Sequence, residues 1–200
     1  MRGLFPGRAF ANHAGNLEAG DVYPDRPAPI IRTDGAGIVL QRARWGMPSP
    51  EQFHSPSGID RGVTNIRNTT SPHWRRWLAP EHRCLVPFDR FAEPRPGGRG
   101  AGNAWFQVTG DRMAFFAGLW VSAWRSIRKL KDGETVDDLF GFLTCAPNPV
   151  VGAIHPKAMP VILVEPVEWD AWLREPWEMA RNLQKPLAGE DVELIKSVML

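Results

Sequence analysis

Cysteine is scarce in this sequence and long apolar segments are missing, and both absences exclude classes of protein. Only two of the 200 residues are cysteine, which excludes a disulfide-bonded scaffold and favours a reducing compartment. No apolar run approaches the roughly 18 residues that a membrane span requires. The first residues contain no apolar core of the signal-peptide type. We therefore expect a cytoplasmic protein without a membrane partner.

Sequence motifs for metals and cofactors are also missing. There is no glycine-rich phosphate loop, no Cys-x-x-Cys pair and no His-x-x-x-His pair. The histidines are scattered along the chain, at His13, His54, His73, His82 and His155. Because metal ligands usually occur at close, regular spacings, we expect no bound metal and no small-molecule cofactor.

Glycine and proline are abundant, with 19 of each, and this predicts frequent turns and short elements. Short apolar runs rich in β-branched and aromatic residues predict strands over Ile38–Trp45, Cys84–Phe91, Ala104–Val108, Ala114–Val121, Leu139–Cys145 and Met159–Val164. Prolines at candidate first turns predict short helices from Ser71 to Leu78, over Val167–Leu173 and over Trp177–Leu183. The predicted fold class is α+β: a single β-rich domain over residues 1–200, mainly an antiparallel sheet or open barrel with a few peripheral helices.

The net charge of +2 conceals an uneven distribution. Residues 61–100 contain eight arginines and three acidic residues, a balance of +5, whereas residues 165–200 contain four basic and eight acidic residues, a balance of −4. Arginine suits bidentate phosphate recognition, and the aromatic residues interleaved with the basic segment are of the kind that stack on bases. A solvated basic face is the commoner explanation of such a cluster, so the segment alone only suggests nucleic acid.

Five short motifs follow one another in the order that one known family shows. They are Arg44–Gly46 (Arg-Trp-Gly), Asn65–Arg67, Arg83–Pro87 with Phe91–Glu93, Phe115–Trp120 and Ile154–Leu163. Together they resemble the SOS response-associated peptidases, the abasic-site processing proteins. The similarity extends from about Tyr23 to Trp172, and five motifs in order make a chance match improbable.

The resemblance implies both a fold and an activity. Members of the family have a β-rich α+β domain with a positively charged groove for single-stranded DNA. They form a covalent thiazolidine link between a cysteine at position 2 and the ring-opened aldehyde of an abasic site, with associated lyase and self-peptidase activity. The resemblance thus implies an abasic-site processing protein of the DNA damage response, whose partner is single-stranded or abasic DNA and which is nucleoid-associated when bound.

The resemblance also implies roles for the residues that match the family's motifs. Asn65 would position the sugar or the terminal amine, Glu93 would act as general acid and base, and His155 would assist Schiff-base chemistry and strand cleavage. DNA contacts would come from a further set of residues: Pro24, Trp45, Arg67, Arg75, Arg76, Thr144 and Lys157.

The residue types fit the reaction that the resemblance implies. An aldehyde is attacked by a neutral amine, and the carbinolamine then loses water, so a carboxyl group that gives and takes a proton assists. A terminal amine, with a reference pKa of about 7.7–8.0, keeps roughly a tenth to a sixth of its population in the reactive neutral form near pH 7. Histidine shuttles protons in the same pH range.

The sequence departs from the family at the nucleophile, because position 2 is Arg2 and neither Cys84 nor Cys145 is near the first residue. We expect the chain as given not to form the thiazolidine, which leaves its status as an enzyme open. A misplaced start or a truncation is the favoured explanation, and loss of the nucleophile in a divergent member is the other. A smaller departure is Lys157, which stands where the family usually has arginine.

Each motif has an ordinary structural explanation when it is taken alone. Trp45 is equally compatible with core packing, Asn65 and Glu93 with turns, and His155 with a plain surface or core position. Two functional alternatives accompany the abasic-site hypothesis. One is a module that binds single-stranded DNA without covalent chemistry, and the other is an interaction protein whose arginines solvate one face.

Overall fold

A computed structural model describes residues 2–17, 20–98, 100–110 and 112–195. The strands within these residues are β1 (Phe10–Asn12), β2 (Pro27–Asp34), β3 (Gly37–Trp45), β4 (Asn65–Ile66), β5 (Arg83–Phe88), β6 (Phe91–Pro94), β7 (Asn103–Val108), β8 (Ala114–Lys129), β9 (Gly133–Cys145), β10 (Met159–Pro160), β11 (Ile162–Leu163) and β12 (Val192–Leu194). The α-helices are α1 (Pro149–Gly152), α2 (Pro166–Arg174) and α3 (Trp177–Ala180).

Five of these strands close into a barrel. Strand β2 pairs with β3, β3 with β9, β9 with β8, β8 with β5, and β5 returns to β2. All of these contacts are antiparallel except β3–β9, which is parallel and aligns Arg44 with Leu139 and Trp45 with Phe140. Because closure removes the free edges of a sheet, the barrel is a rigid support for the loops and short strands around it.

The remaining strands are placed around the barrel. Strand β4 lies parallel to β9, β10 lies antiparallel to the end of β9, and β11 pairs with β8. Strands β6, β7 and β12 form a separate antiparallel sheet in which β7 is central. Helix α2 begins at Pro166, has a capping box between Glu165 and Glu168, and buries Trp169, Trp172 and Leu173.

The predicted α+β class is confirmed, with a closed rather than an open barrel. The strand predictions in the barrel are correct in position but too short at two points. Strand β8 continues well beyond Val121, and strand β9 begins well before Leu139. The added parts form a long hairpin that is more exposed and carries polar residues. Apolar runs mark only the buried part of such a strand, which explains the early predicted ends.

Two other predictions are wrong in detail. The run Cys84–Phe91 is divided between two sheets, because the chain turns at Asp89–Arg90 between β5 and β6. The segment from Ser71 to Leu78 forms turns and a 3₁₀ helix over Arg75–Trp77 rather than an α-helix. Strand β2 escaped prediction because Pro27 and Pro29 interrupt its pattern, although both are accommodated opposite β3.

The centre of the core is organised by Trp172, which is fully buried. Its indole Nε1 lies 3.0 Å from the carbonyl oxygen of Cys84 and 3.2 Å from that of Gly118, so it donates to the main chain of both β5 and β8. A β-carbon at Gly118 would lie 2.7 Å from Cys84 Sγ. The close approach of β5 and β8 under helix α2 therefore requires glycine at this position.

Within the described residues, no helix has both the length and the apolar character needed to cross a bilayer.

The packing at Gly118 gives a direct test of the fold. We expect Gly118→Ala to lower the free energy of unfolding by about 1–3 kcal/mol, since the added methyl group must displace neighbours in a filled core. Urea denaturation followed by tryptophan fluorescence measures this change. Gly20→Ala is the matched control, because a β-carbon there meets nothing within 4 Å, and it should change stability by less than about 0.5 kcal/mol.

If the contact with Cys84 Sγ is responsible, Gly118→Ala combined with Cys84→Ala should lose less stability than the two single variants together predict. Strict additivity would show that the cost arises elsewhere.

Candidate active site

The clearest feature of the candidate site is a contact between Glu93 and His155, which are 62 positions apart in the sequence. Glu93 lies on β6 in the smaller sheet, and His155 lies in the loop between α1 and β10. Glu93 Oε2 is 2.9 Å from His155 Nδ1, and the two side chains are 15% and 26% exposed. The fold thus joins two of the three predicted catalytic residues into one hydrogen-bonded pair that solvent still reaches.

The surroundings of His155 fix which ring nitrogen carries the proton. Nδ1 also lies 3.0 Å from the carbonyl oxygen of Ala158, which can only accept a hydrogen bond. Nδ1 therefore carries a hydrogen and donates to both Ala158 and Glu93. Nε2 has no hydrogen-bond partner in the part of the chain that the structure describes, so in the neutral ring it is a free acceptor.

Burial shifts the acidity of the partner carboxyl group. Removal from water raises the pKa of Glu93 above its ordinary value, and the nearby His155 opposes this by lowering it. Burial is the larger of the two effects. A carboxyl group with a raised pKa holds its proton to higher pH than usual, which suits a group that both donates and accepts protons.

The third predicted catalytic residue, Asn65, belongs to β4 and is placed by β9. Asn65 aligns with Phe142, and the next residue, Ile66, is buried in the core. Since side chains alternate along a strand, Asn65 faces outward, where its amide is exposed. The amide has no hydrogen-bond partner among the described residues and is free to bind a ligand.

Arg67 connects the Asn65 segment to the His155 loop. Its Nη1 lies 2.5 Å from the carbonyl oxygen of Cys145 and 3.4 Å from that of Lys157. Lys157 is two residues from His155, so this guanidinium joins the end of β9 to the loop that carries the histidine. Arg67 remains exposed, and its other nitrogen atoms can bind an anion.

Trp45 and Pro24 are also brought together. The backbone N–H of Asp25 donates to the Trp45 carbonyl at 2.8 Å, which fixes the turn carrying exposed Pro24 beside the tryptophan. The Trp45 ring stacks on Phe142 with centroids 5.3 Å apart, and its Nε1 donates to the Thr64 carbonyl at 3.2 Å. Half-buried Trp45 therefore links the Pro24 turn to the residue before Asn65.

A buried ion pair supports the chain between Trp45 and Asn65. Arg128, on β8, donates through Nη2 to the Gly46 carbonyl at 2.6 Å and lies 4.0 Å from the carboxylate of Asp60. Asp60 accepts from the backbone N–H groups of Ser49 and Gly62. A β-carbon at Gly62 would lie 2.2 Å from the Arg128 guanidinium, so this support depends on glycine there. Burial lowers the pKa of Arg128.

The other predicted DNA contacts differ in their placement. Thr144 is buried, and within the described residues only its backbone is engaged near the site. Lys157 and Arg75 are exposed. The Arg76 guanidinium instead lies over the rings of Trp77 and Trp124, at 4.2 and 5.6 Å, and makes no contact with the other predicted site residues that the structure describes.

Gln184 is a residue near the site that the sequence did not reveal. Its Nε2 donates to the carbonyl oxygens of Arg67 and Thr144, at 2.9 and 3.0 Å, and its Oε1 accepts from Thr69 Oγ1. No motif surrounds Gln184. A lone polar residue after a 3₁₀ turn gives no local signal that it bonds to backbone groups 40 and 117 positions earlier in the chain.

Both cysteines are poor nucleophiles. Cys84 is fully buried, and burial raises the pKa of its thiol. Cys145 is 5% exposed, and burial raises the pKa of its thiol to about 11 despite the opposing effect of Arg67. Since the thiolate is the reactive form, neither residue has the character of a reactive cysteine. Across the described ranges, no group of three His, Cys, Asp or Glu residues is arranged to hold a metal ion.

The sequence profile of the family described as SOS response associated peptidase (SRAP) matches residues 10–198. The chain belongs to this family. Membership supports a DNA damage-related function with DNA as the partner. No curated protein shows significant sequence similarity to the chain.

Solved structures share the SRAP chain's fold at low sequence identity. A protein from Bacteroides thetaiotaomicron is 23% identical, with a TM-score of 0.66 over 86% of this chain and 75% of its own. A protein from Bordetella bronchiseptica is 21% identical, with a TM-score of 0.64 over 93% and 92%. A phage-related protein from Bordetella bronchiseptica is also 21% identical, with a TM-score of 0.59 over 92% and 85%. These similarities establish the fold.

The Glu93–His155 contact predicts a specific titration behaviour. We expect the pKa of Glu93 to lie above its ordinary value in the wild type and to rise further in His155→Ala, because the substitution removes the group that favours the carboxylate. Carbon-13 NMR of the glutamate side-chain carboxyls measures both values. His82→Ala, which removes a histidine outside the Glu93–His155 pair, is the control and should leave the titration unchanged. A lower Glu93 pKa in His155→Ala would contradict the assignment.

Proposed function

We propose that this SRAP chain binds single-stranded DNA at abasic sites and promotes opening of the abasic sugar. The contact between Glu93 and His155 is the observation that carries the proposal. It supplies, in one solvent-accessible place, an acid with a raised pKa and an imidazole whose Nε2 is free.

The proposed reaction is proton transfer around the anomeric carbon. In the closed sugar, C1 carries a hydroxyl group and is bonded to the ring oxygen. His155 Nε2 accepts the hydroxyl proton, the C1–O bond of the ring breaks, and the ring oxygen takes a proton from Glu93. The products are the open-chain aldehyde and a free hydroxyl group. Asn65, whose exposed amide offers both donors and an acceptor, positions the sugar.

The proposed DNA path passes the exposed side chains around this pair. Arg67, Arg75 and Lys157 are exposed cations near the site and bind backbone phosphates. Pro24 and Trp45, held together by the Asp25 turn, present an apolar surface to the bases beside the lesion. The +5 balance of residues 61–100 adds a general attraction for a polyanion.

The burial of both cysteines favours non-covalent binding by the chain as given. A thiazolidine requires a thiol next to an amine, and Cys84 and Cys145 are both buried within β strands. We expect no thiol-dependent adduct from either residue. A non-covalent single-stranded DNA module in the damage response is therefore the second candidate function.

Trapping of the aldehyde tests the proposed catalysis. An alkoxyamine added to abasic single-stranded DNA forms an oxime only with the open form, so a protein that opens the sugar accelerates oxime formation. We expect Glu93→Gln to reduce this acceleration by on the order of 100-fold, as loss of a general acid does, while DNA affinity changes less than about twofold. Glu81→Gln, an acidic residue outside the proposed site, is the matched control.

If Glu93→Gln accelerated oxime formation as much as the wild type does, the catalytic role of Glu93 would be contradicted. The non-covalent DNA-binding module would then be the remaining candidate function. An adduct that survives denaturing electrophoresis and disappears in Cys84→Ala or Cys145→Ala would contradict the statement about the cysteines.

Salt dependence of binding tests the DNA path independently. Three exposed cations are proposed to contact the strand, Arg67, Arg75 and Lys157, and each single-strand phosphate contributes roughly −0.7 to the slope of log K against log salt. We expect a slope of about −2, measured by fluorescence anisotropy with an abasic oligonucleotide. Failure to bind at low salt would contradict the DNA function altogether.

A further inference from the structure

A concave surface lies beside the candidate site and takes no part in the proton transfer described above, and Arg75 is the one residue of its lining that already belongs to the proposed DNA path. It is a cleft of about 550 Å³ formed between the 3₁₀ segment around Arg75 and the chain that follows α3. Its lining consists of Thr69, Thr70, Arg75, Leu78, Trp177, Arg181, Asn182 and Gln184. The volume is in the range of natural small-ligand sites.

The lining of the cleft is basic and lacks acidic residues. It includes the two arginines Arg75 and Arg181, and no aspartate or glutamate. Both arginines are exposed, and neither forms an ion pair with a residue that the structure describes. Arg181 is notable because residues 165–200 carry a net charge of −4, yet this cation lies in the cleft without an acidic partner.

The cleft is continuous with the candidate site through Gln184. One face of this side chain lines the cleft, and its amide donates to the backbone of Arg67 and Thr144. Thr69, also in the lining, donates to Gln184 Oε1 at 3.0 Å. The cleft therefore adjoins the Arg67 segment, with no acidic residue in its lining.

The donors in the cleft match one chemical group. Two guanidinium groups and the amide of Asn182 are N–H donors suited to the oxygens of a phosphodiester. The hydroxyl groups are already engaged, because Thr69 donates to Gln184 and Thr70 donates to Asn68 Oδ1 at 2.6 Å. Half-buried Trp177 adds an aromatic surface of the kind on which a base can stack.

We propose that this cleft is a second DNA subsite, in which Arg181 and Arg75 bind a backbone phosphate of the strand that extends from the abasic nucleotide. Asn182 completes the phosphate contacts, and Trp177 faces the neighbouring base. Gln184 is a positioning residue that fixes the cleft relative to Arg67. This inference rests on the proposed function, since it assigns a further part of the same DNA path.

Oligonucleotides of different length test the subsite. We compare an abasic tetranucleotide, which fills the central site, with abasic 12-mers extended on the 5′ or the 3′ side. For the wild type, one extension should increase affinity. In Arg181→Ala that 12-mer should bind about fivefold to tenfold more weakly, because a charge-assisted contact is lost, whereas the tetranucleotide should change less than about twofold. The salt slope for the same 12-mer should become less steep by about 0.7.

Two control variants separate a local contact from a change in net charge. Arg125→Ala removes one exposed arginine that pairs with Glu134 at 3.0 Å on the long hairpin, and it should affect neither oligonucleotide beyond about twofold. Arg181→Lys keeps the charge and should retain the wild-type salt slope. Thermal unfolding of each variant checks that the fold is unchanged.

The possible failures are distinguishable. If the wild type binds the abasic 12-mers and Arg181→Ala behaves like Arg125→Ala, the second subsite is wrong and the proposed function stands. If neither extension increases wild-type affinity over the tetranucleotide, the subsite is again overturned. If the wild type binds no abasic oligonucleotide at low salt, both the proposed function and the subsite are overturned.

Discussion

The candidate site depends on the main-chain hydrogen bonds of strand β9. This strand pairs with β3, β4, β8 and β10, and it aligns the elements that carry several of the predicted site residues, although Glu93 lies on β6 in the smaller sheet. Trp45 aligns with its middle, Asn65 follows, and the loop that carries His155 returns to its end. A β-carbon at Gly141 would lie 3.0 Å from the carbonyl oxygen of Val63 and 3.2 Å from that of Thr64. The close packing of the chain before β4 against β9 therefore requires glycine at position 141. The barrel supplies the rigidity, and β9 supplies the alignment.

The site combines a mostly buried acid–base pair with solvent-exposed cations around it. Glu93 and His155 are mostly shielded, which is why the pKa of Glu93 is raised, and the shielding strengthens their mutual interaction. Arg67 and Lys157 are exposed and screened by salt. Under the proposed function, the exposed cations hold a flexible polyanion reversibly while the shielded pair transfers protons at one position. The buried pair of Arg128 and Asp60 serves neither purpose directly but fixes the loop between Trp45 and Asn65.

The sequence identified Glu93 and His155 as candidate site residues, but it did not predict the geometry around them. Both were predicted from the motifs that carry the family resemblance, and their contact, between β6 and the loop before β10, is a property of the fold that no local pattern encodes. The barrel strands were visible as apolar runs, whereas β2 was hidden by its prolines and the outer halves of β8 and β9 by their polar residues. No sequence motif predicted Gln184, because its partners are the backbone carbonyl groups of residues far away in the sequence. Short helical segments such as Arg75–Trp77 are set by tertiary packing rather than by local propensity.

The inaccessibility of both native thiols has a practical consequence. Since Cys84 and Cys145 are buried, a cysteine introduced on the exposed face near Asn65 would be the single thiol available to reagents in the folded protein. Such a chain can be tethered to a DNA strand bearing a thiol at a chosen nucleotide, or labelled with one fluorophore, without removal of native residues. The burial that makes this chain unreactive as a thiol nucleophile thus makes it a clean scaffold for mapping the path of its DNA, one nucleotide at a time.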